Sequence, residues 1–407
     1  MNAKILIIGG GAMGTSVAFH AAAKCDPLTG PVVLVEKDGL GSGSSGRAGA
    51  VIHQGYSERA LAGMARDALK VYAGIKSATG RSVGYQRTGV LVISDREAAR
   101  REAFRADVEM QRTLGIDVRI VDAAELRALC PGIEVEDDAL GAFERQGGYI
   151  DARRTIGTLA TLARDRGAVT RVGQGAPELI VEGGRAVGVR TSEGEVRAPH
   201  VVLTVGPWTP QLLSGLGVNW PLRVVRVREN FYEMPSASAQ LDQDALEGDN
   251  EMEMRFQPDP LDTMPAAHPV VIDHGRDFIA RCEPAAHRTR VGRLSFDAKA
   301  ILDRAEAIDD KEDPAFDGAL RDDLVGRMPM YRDHGQKGGH ASWITLTPDN
   351  RPIVGAVDEV PGLWVVAGFS GNDFQLAPSI GEGLTQMILG EPVSAFDVDF
   401  LSPKRFR

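Results

Sequence analysis

Three glycines and one acid carry the first chemistry this sequence suggests. Gly9, Gly11 and Gly14 stand in the spacing G-x-G-x-x-G, and Glu36 follows twenty-two residues after the last of them. Glycines so spaced suit a pyrophosphate: the first permits a tight turn, the second lets a phosphate approach the backbone, and the third lets helix and strand pack closely. An acid at that distance suits a ribose hydroxyl. Together they point to a cofactor containing ADP, and leave nicotinamide or flavin open. A second cluster lies between Gly39 and Glu58, GLGSGSSGRAGAVIHQGYSE, and includes Ser44, Ser45 and Arg47. Such a stretch can be a flexible linker. Placed after the acid of a nucleotide fold, it can equally bring backbone donors and a cation to a phosphate. Far downstream, Gly368 and Gly371 in AGFSGNDF form another glycine turn.

The elements around these residues must hold them. Ile5 to Ile8 reads as a strand, Thr15 to Ala23 as the helix after the turn, and Val32 to Glu36 as the next strand, so a helix N-terminus faces the phosphates. Ser57 is expected to cap an amphipathic helix to about Ala78, with Leu61, Met64, Ala68, Leu69 and Tyr72 inward. Gln86 to Ser94 reads as a strand, Arg96 to Gly115 as a charged helix, and Ala123 to Leu129 as a short helix stopped by Pro131. Arg153 to Gly167 follows as a helix, and Ala168 to Val196 as strands with a hairpin at Gly183-Gly184. Val201 to Trp208 reads as a buried strand ending in a Gly-Pro turn. Leu222 to Glu233, Pro269 to Asp273, Asp277 to Arg281 and Thr289 to Phe296 are expected strands, with an irregular acidic insertion, Ser236 to Pro265, that is either a functional lid or a mobile loop, the plainer reading being the loop. A charged helical run follows from Ala298 to Arg327. Ile344 to Val357 reads as a strand pair broken at Thr347-Pro348-Asp349. Leu363 to Ala367 reads as a buried strand, and a helix is expected from about Pro378.

The totals set limits. At 407 residues, two domains are the default. The chain is 43% hydrophobic and 25% charged, as globular proteins are, and its net charge of -10 argues against a general nucleic-acid binder. Cys25, Cys130 and Cys282 give neither a disulfide framework nor a C-x-x-C motif, so a reducing compartment fits and no metal is expected. The apolar run after Lys4 is better explained by the glycine fingerprint than by a signal peptide, and none approaches the ~20 residues of a membrane span. These features suggest a cytoplasmic enzyme.

The segments GGGAMG, VVLVEK, GSGSSGRAGAVIHQGY, RTGVLVIS, GGYIDARR, VVLTVGPWTPQLL, TPDNRPIVG and GLWVVAGFSGNDFQLAPSIGEGL occur in this order. In them the chain resembles, over nearly its whole length, the D-amino-acid-oxidase-like family of FAD-dependent oxidoreductases, particularly its sarcosine oxidase and dimethylglycine dehydrogenase branch. The resemblance implies an α/β chain (α+β overall). Its parts would be a Rossmann-like FAD-binding domain of the glutathione-reductase type, residues 1–85, 145–220 and 340–407, and a mainly antiparallel β-sheet substrate domain, residues 86–144 and 221–339, roofing the flavin. It also implies that Gly9, Gly11 and Gly14 take the pyrophosphate, that Glu36 takes the ribose, and that Ser44, Ser45 and Arg47 lie along the cofactor. Lys37, Ala48, Gly49, Gly206 and Trp208 would join its surroundings. Gly368, Gly371, Asn372, Phe374 and Gln375 would pass near the isoalloxazine ring.

The implied reaction removes a hydride from the carbon beside an amine to flavin N5, for a small amine or amino acid. Water hydrolyses the imine, and the electrons go to oxygen or another acceptor. Two alternatives stay open: a 2-hydroxy-acid oxidase or dehydrogenase, and a flavoprotein subunit active only in a hetero-oligomer. A homo-oligomer is equally compatible, and a nicotinamide enzyme would leave the C-terminal glycine turn without a role.

Departures from the family bear on the substrate. Where sarcosine oxidase-like relatives hold the substrate carboxylate with basic residues, this chain has His53 and Gln375, which bind a carboxylate more weakly. Asn372-Asp373 stands in place of the common His-Gly. Asp373 either faces the pocket, favouring a substrate with an extra amine, or caps the next helix. His53 lies in a Val-Ile-His run like that of the 2-hydroxyglutarate oxidases, where a histidine could act as base. Arg290 falls near a basic residue that promotes reaction with oxygen, or else decorates a surface strand. Ser342 matches the cysteine that tethers FAD in monomeric sarcosine oxidases, and serine cannot form that thioether, so non-covalent FAD is expected.

Overall fold

Four-residue runs that are apolar at every position suit the middle of a sheet covered on both faces. Ile5–Ile8 and Val32–Val35 are such runs, and both are completely buried strands. The protein is seen here as a computed structural model, which describes residues 1–236, 266–297 and 300–406. The acidic stretch expected from Ser236 to Pro265 lies outside the described residues, apart from Ser236 itself. A six-stranded sheet runs in the order Ile353–Ala356, Leu363–Ala367, His200–Leu203, Ile5–Ile8, Val32–Val35, Val169–Arg171. Only its first pair is antiparallel. Strands from both ends of the chain therefore share one sheet, and their loops meet along one edge.

Three helices cover the edge and face that matter here. Ala12–Ala22 packs against Ala152–Asp165 and Asp373–Leu389. The last contact is close: a Cβ on Gly381 would lie 2.5 Å from Ser16 Oγ, and that hydroxyl donates to the Ala377 carbonyl at 2.6 Å. The helix expected from about Pro378 in fact begins at Asp373 and runs through the proline. Pro378 has no N–H for the Phe374 carbonyl four residues back. The Tyr72 hydroxyl supplies a donor instead, at 2.9 Å, from the buried face of the helix Arg59–Thr79. A proline is tolerated there because another element completes the ladder.

The second sheet has nine strands around the long strand Arg223–Glu233. Gln336–Leu346 pairs along one side of it, and Ile301–Leu302 and Arg288–Arg293 pair on the other. Phe278–Glu283, Val270–Asp273, Val90–Ile93, Leu140–Glu144 and Val118–Asp122 continue the sheet. All pairs are antiparallel except Val270–Asp273 with Val90–Ile93. The fold is thus a Rossmann-like sheet joined to a mainly antiparallel one.

Several local expectations need correction. Residues 344–357 do not form a strand pair. Gln336–Leu346 belongs to the nine-stranded sheet and Ile353–Ala356 to the six-stranded one, so the Thr347-Pro348-Asp349 turn is the crossing between them. The strand expected from Val201 to Trp208 ends at Leu203, because Gly206–Trp208 winds into a 3₁₀ turn. Of the charged run up to Arg327, Pro314–Arg327 alone is α-helical among the described residues, with Asp313 as its cap. Ser57 is not a cap either: Glu58 holds that position without a side-chain bond, and Ser57 Oγ turns to Glu58. The Gly183-Gly184 turn is as the sequence suggests, with φ of +58° and +80°. Among the described residues, no helix is long and apolar enough to cross a membrane, and no group of side chains could hold a metal ion.

Candidate active site

The glycine turn has two kinds of glycine. Gly9 has φ +108°, and a Cβ there would meet the Thr204 carbonyl oxygen at 2.5 Å. A Cβ on Gly14 would lie 1.8 Å from the Gly9 carbonyl oxygen. Both are required by backbone packing. Gly11 differs, since a Cβ there would meet only the Ser45 side chain, with Oγ at 3.0 Å, and its open side faces a cavity. This cavity, of about 500 Å³, is lined by Gly9, Gly11, Glu36, Lys37, Ser44 and Trp208 among others. The buried Glu36 carboxylate accepts from the Gly10 amide at 2.7 Å and the Asp38 amide at 3.0 Å, which leaves lone pairs for hydroxyls. Lys37 Nζ sits 3.8 Å from the centroid of the Trp208 ring, whose indole N–H donates to Glu306 at 2.6 Å. A flat, cation-backed wall results, suited to a planar base.

Gly11, Ser44, Ser45, Thr204 and Gly206 line this cavity and also a second one of about 390 Å³ beneath the nine-stranded sheet. The two spaces therefore join where the first helix begins. That helix starts on Gly11 without a side-chain cap, and the Ala12 amide donates to Ser45 Oγ at 3.2 Å. Ser45 in turn donates to Asp373 Oδ2 at 3.3 Å. The helix Asp373–Leu389 likewise begins at the cavity with no side-chain bond from its cap, Asn372. Two uncapped helix N-termini and a bare glycine face suit an extended, phosphate-bearing molecule. The residues present thus fit the expected cofactor.

Asp373 lines the cavity and is the first residue of its helix, whose cap is Asn372; its carboxylate accepts from the neighbouring Phe374 amide at 3.0 Å. Burial pushes its carboxyl up to about 6 against those bonds. His53 Nδ1 accepts from the Gly55 amide at 3.2 Å, and the ring stacks on Tyr56 at 5.5 Å. Burial, with His274 nearby, lowers His53 to about 4. The ring is neutral at pH 7, and the Gly55 bond assigns its proton to Nε2. Gln375 is buried in the wall, and its amide makes no hydrogen bond among the described residues. Arg290 is 9% exposed, which corrects the surface-strand reading. It donates to Glu229 at 2.5 Å, to Glu283 at 2.9 Å and to the Arg47 carbonyl at 2.7 Å.

Most of the sequence-predicted residues line the joined cavities, including Ala48, Gly49, Gly368, Gly371 and Asn372. Gly14, Arg47 and Phe374 do not. Gly14 packs on Gly9, and Phe374 is core beside Tyr72. Arg47 turns away, donating to the Ala341 carbonyl at 2.8 Å and lying over Trp343. Sequence reasoning missed Thr204, Arg281, His274 and Arg293, which all line the reaction cavity. Thr204, one residue beyond the buried strand His200–Leu203, could have been found from its place at the strand end.

Comparisons with known proteins agree with this geometry. A family model described as FAD dependent oxidoreductase (DAO) matches residues 4–387. The chain is 26% identical over 389 residues to the peroxisomal sarcosine oxidase of Homo sapiens, covering 94% of this chain and 91% of that one. It is 26% identical over 412 residues to the mitochondrial dimethylglycine dehydrogenase of Rattus norvegicus, covering 100% of this chain but only 45% of that longer protein. In structure it is similar to the L-proline dehydrogenase of P. horikoshii, with a TM-score of 0.81 at 20% identity, over 100% of this chain and 98% of that one.

Proposed function

The chain belongs to the FAD-dependent oxidoreductase family, and on that premise we propose that it oxidises a small amine or amino acid at a carbon–nitrogen bond. The imine product is hydrolysed by water, and the electrons pass to oxygen or another acceptor. The observation that carries this reading is the junction at Gly11, Ser44, Ser45, Thr204 and Gly206, which joins the groove beside Glu36 to the cavity under the sheet. The relatives' names, sarcosine oxidase, dimethylglycine dehydrogenase and L-proline dehydrogenase, support a nitrogen-bearing substrate.

FAD, when bound, supplies a hydride acceptor. The protein's own residues position the rest. Gly9, Gly11 and the first turn of the helix Ala12–Ala22 receive the pyrophosphate, Glu36 the ribose, and Lys37 with Trp208 the base. In the reaction cavity, His53 Nε2–H and the Gln375 amide point to hydrogen-bond donation toward a substrate carboxylate. Arg281 lines the same cavity from the sheet and brings a permanent charge near those positions. With its proton on Nε2, His53 is poorly suited to the base role that a 2-hydroxy-acid oxidase would need. No cysteine lines the cavity among the described residues, while Ser342 does, which supports dissociable FAD. The division into an FAD-binding part, 1–85, 145–220 and 347–407, and a substrate part, 86–144 and 221–346, belongs to this proposal. Its last boundary moves from 340 to 347 because Gln336–Leu346 pairs along Arg223–Glu233.

The test is an anaerobic screen of the yellow holoprotein, following loss of flavin absorbance with amino acids, N-methyl amino acids, polyamines and 2-hydroxy acids. Reduction by nitrogen-bearing compounds is expected. Reduction by 2-hydroxy acids alone would transfer the activity to a C–O bond. Reduction only after a second protein is added would make the chain a subunit, and a colourless protein that binds NAD would overturn the flavin reading.

A further inference from the structure

Beside the reaction cavity lies a cleft of about 570 Å³ that shares Ala48, Arg281 and Arg290 with it. It opens between the start of the helix Ala152–Asp165 and the hairpin that joins Phe278–Glu283 to Arg288–Arg293. Six arginines line it, at 47, 153, 154, 281, 288 and 290, against three carboxylates, Asp151, Glu283 and Asp310. In a chain of net charge -10, so local an excess of cations is unusual.

The carboxylates are already committed. Asp151 caps the helix, accepting from the Arg154 amide at 2.7 Å. Glu283 accepts from Arg281 at 2.8 Å, Arg288 at 2.6 Å and Arg290 at 2.9 Å. Asp310 accepts from the Ala341 amide at 2.7 Å and lies 3.6 Å from Arg47. Donors remain in excess. Arg153 makes no hydrogen bond or ion pair among the described residues. Among the described residues Arg288 donates from its Nε alone, and it lays its guanidinium over Phe231 at 3.7 Å. Arg281 Nε, in a side chain that is 8% exposed, is buried with no acceptor. A wall of paired charges separates this cleft from the reaction cavity. Arg281 and Arg290 line both spaces, Glu229 only the cavity, and Glu283 only the cleft.

We propose that this cleft is a second binding site, for a small phosphate monoester. Arginines arriving from a loop, a helix N-terminus and a hairpin match the several oxygens of a tetrahedral dianion better than a planar carboxylate, which one guanidinium fork satisfies. The space exceeds what a bare ion needs, and Tyr149, Pro284, Ala285 and Ala286 offer apolar surface for an organic remainder. The site does not depend on which substrate is oxidised. Through Arg281 and Arg290, its occupancy reaches the wall of the reaction cavity.

Calorimetric titration of the holoprotein with glycerol 3-phosphate, inorganic phosphate and succinate tests this. The ester binds tightest, inorganic phosphate more weakly and succinate least, with a small shift in the flavin absorbance on binding. Arg153→Ala and Arg288→Gln each weaken the ester by about tenfold, the loss of one charged hydrogen bond. Both variants keep wild-type anaerobic flavin reduction, which separates this proposal from the reaction itself. Absence of ester binding up to about 10 mM, or binding that neither variant alters, removes the site. Succinate binding more tightly than the ester overturns the phosphate assignment.

Discussion

Replacing Asp373 by asparagine should stabilise the cofactor-free protein at neutral pH. Burial lifts this carboxyl from 3.8 to about 6, although the Phe374 amide and Ser45 hydroxyl donate to it. A carboxyl raised in this way holds its proton more tightly in the folded than in the unfolded chain. Its contribution to stability is fully present below pH 3.8 and is lost as pH rises through about 6. A shift of that size, at about 1.36 kcal/mol per unit, corresponds to about 3 kcal/mol. The side chain is partly open to the cavity, so solvent screening reduces the expected gain to about 1–2 kcal/mol. Asparagine can keep the geometry, its carbonyl accepting from the Phe374 amide and its NH₂ donating to Ser45 Oγ. Urea unfolding of the apoprotein at pH 7.5 and below pH 4 reads the effect. The variant gains about 1–2 kcal/mol, or about 2 °C in Tm, at the higher pH and nothing at the lower. An equal gain at both, or none at pH 7.5, would refute a buried, charge-averse carboxyl.

Two further substitutions probe the supports of the site. Tyr72→Phe removes the hydroxyl donor that reaches the Phe374 carbonyl in place of Pro378, and should cost about 1–2 kcal/mol in denaturant unfolding; wild-type stability would show that the proline leaves no unmet acceptor. Burial alone would raise Glu283, but Arg281, Arg290 and Arg288 outweigh it and hold the carboxyl at about 2. Its stabilisation is therefore present above pH 4.5 and lost as pH falls toward 2. Glu283→Gln leaves three guanidiniums with less compensation and should cost about 3–5 kcal/mol at pH 7, with much of that difference disappearing in acid; a pH-independent loss would point to packing instead.

What the sequence revealed of the fold follows from how local each signal is. The run from Ile5 to Gly14 and the acid at Glu36 declare themselves because strand, turn, helix and next strand are consecutive, and the steric need at Gly14, which packs on Gly9, is local, although Gly9 itself answers to the distant Thr204 carbonyl. The start of the helix Asp373–Leu389 was not legible. Pro378 reads as a beginning, and only a tyrosine three hundred residues earlier makes it an interior position. Residues 344–357 failed similarly, since alternation identifies two strands but not that they enter different sheets. His53 could be picked out by resemblance, whereas its tautomer depends on the Gly55 amide, a matter of backbone direction.

The charged hairpin shows how a signal can be visible and still misread. In FIARCEPAAHRTR, Arg281 and Glu283 are two apart, as are Arg288 and Arg290, so each pair lies on one face of its strand. In the structure Arg281 stands opposite Arg290 and Glu283 opposite Arg288, while Cys282 and Thr289 between them are buried, Thr289 against the Tyr331 hydroxyl. Alternation therefore predicts a charged face correctly, and the ordinary conclusion is that such a face meets water. Here it meets the Gly46–Gly49 turn instead: Arg290 donates to the Arg47 carbonyl, and Arg281 donates to the Gly49 carbonyl. That turn is more than two hundred residues away in the chain, and nothing in the hairpin announces it. The face is buried only because the turn after Glu36, set by the dinucleotide fold, closes over it. The same contact turns a surface-like charge pattern into the shared wall of two cavities, and it is through this wall that the proposed ligand of the arginine cleft would reach the side chains proposed to meet the substrate.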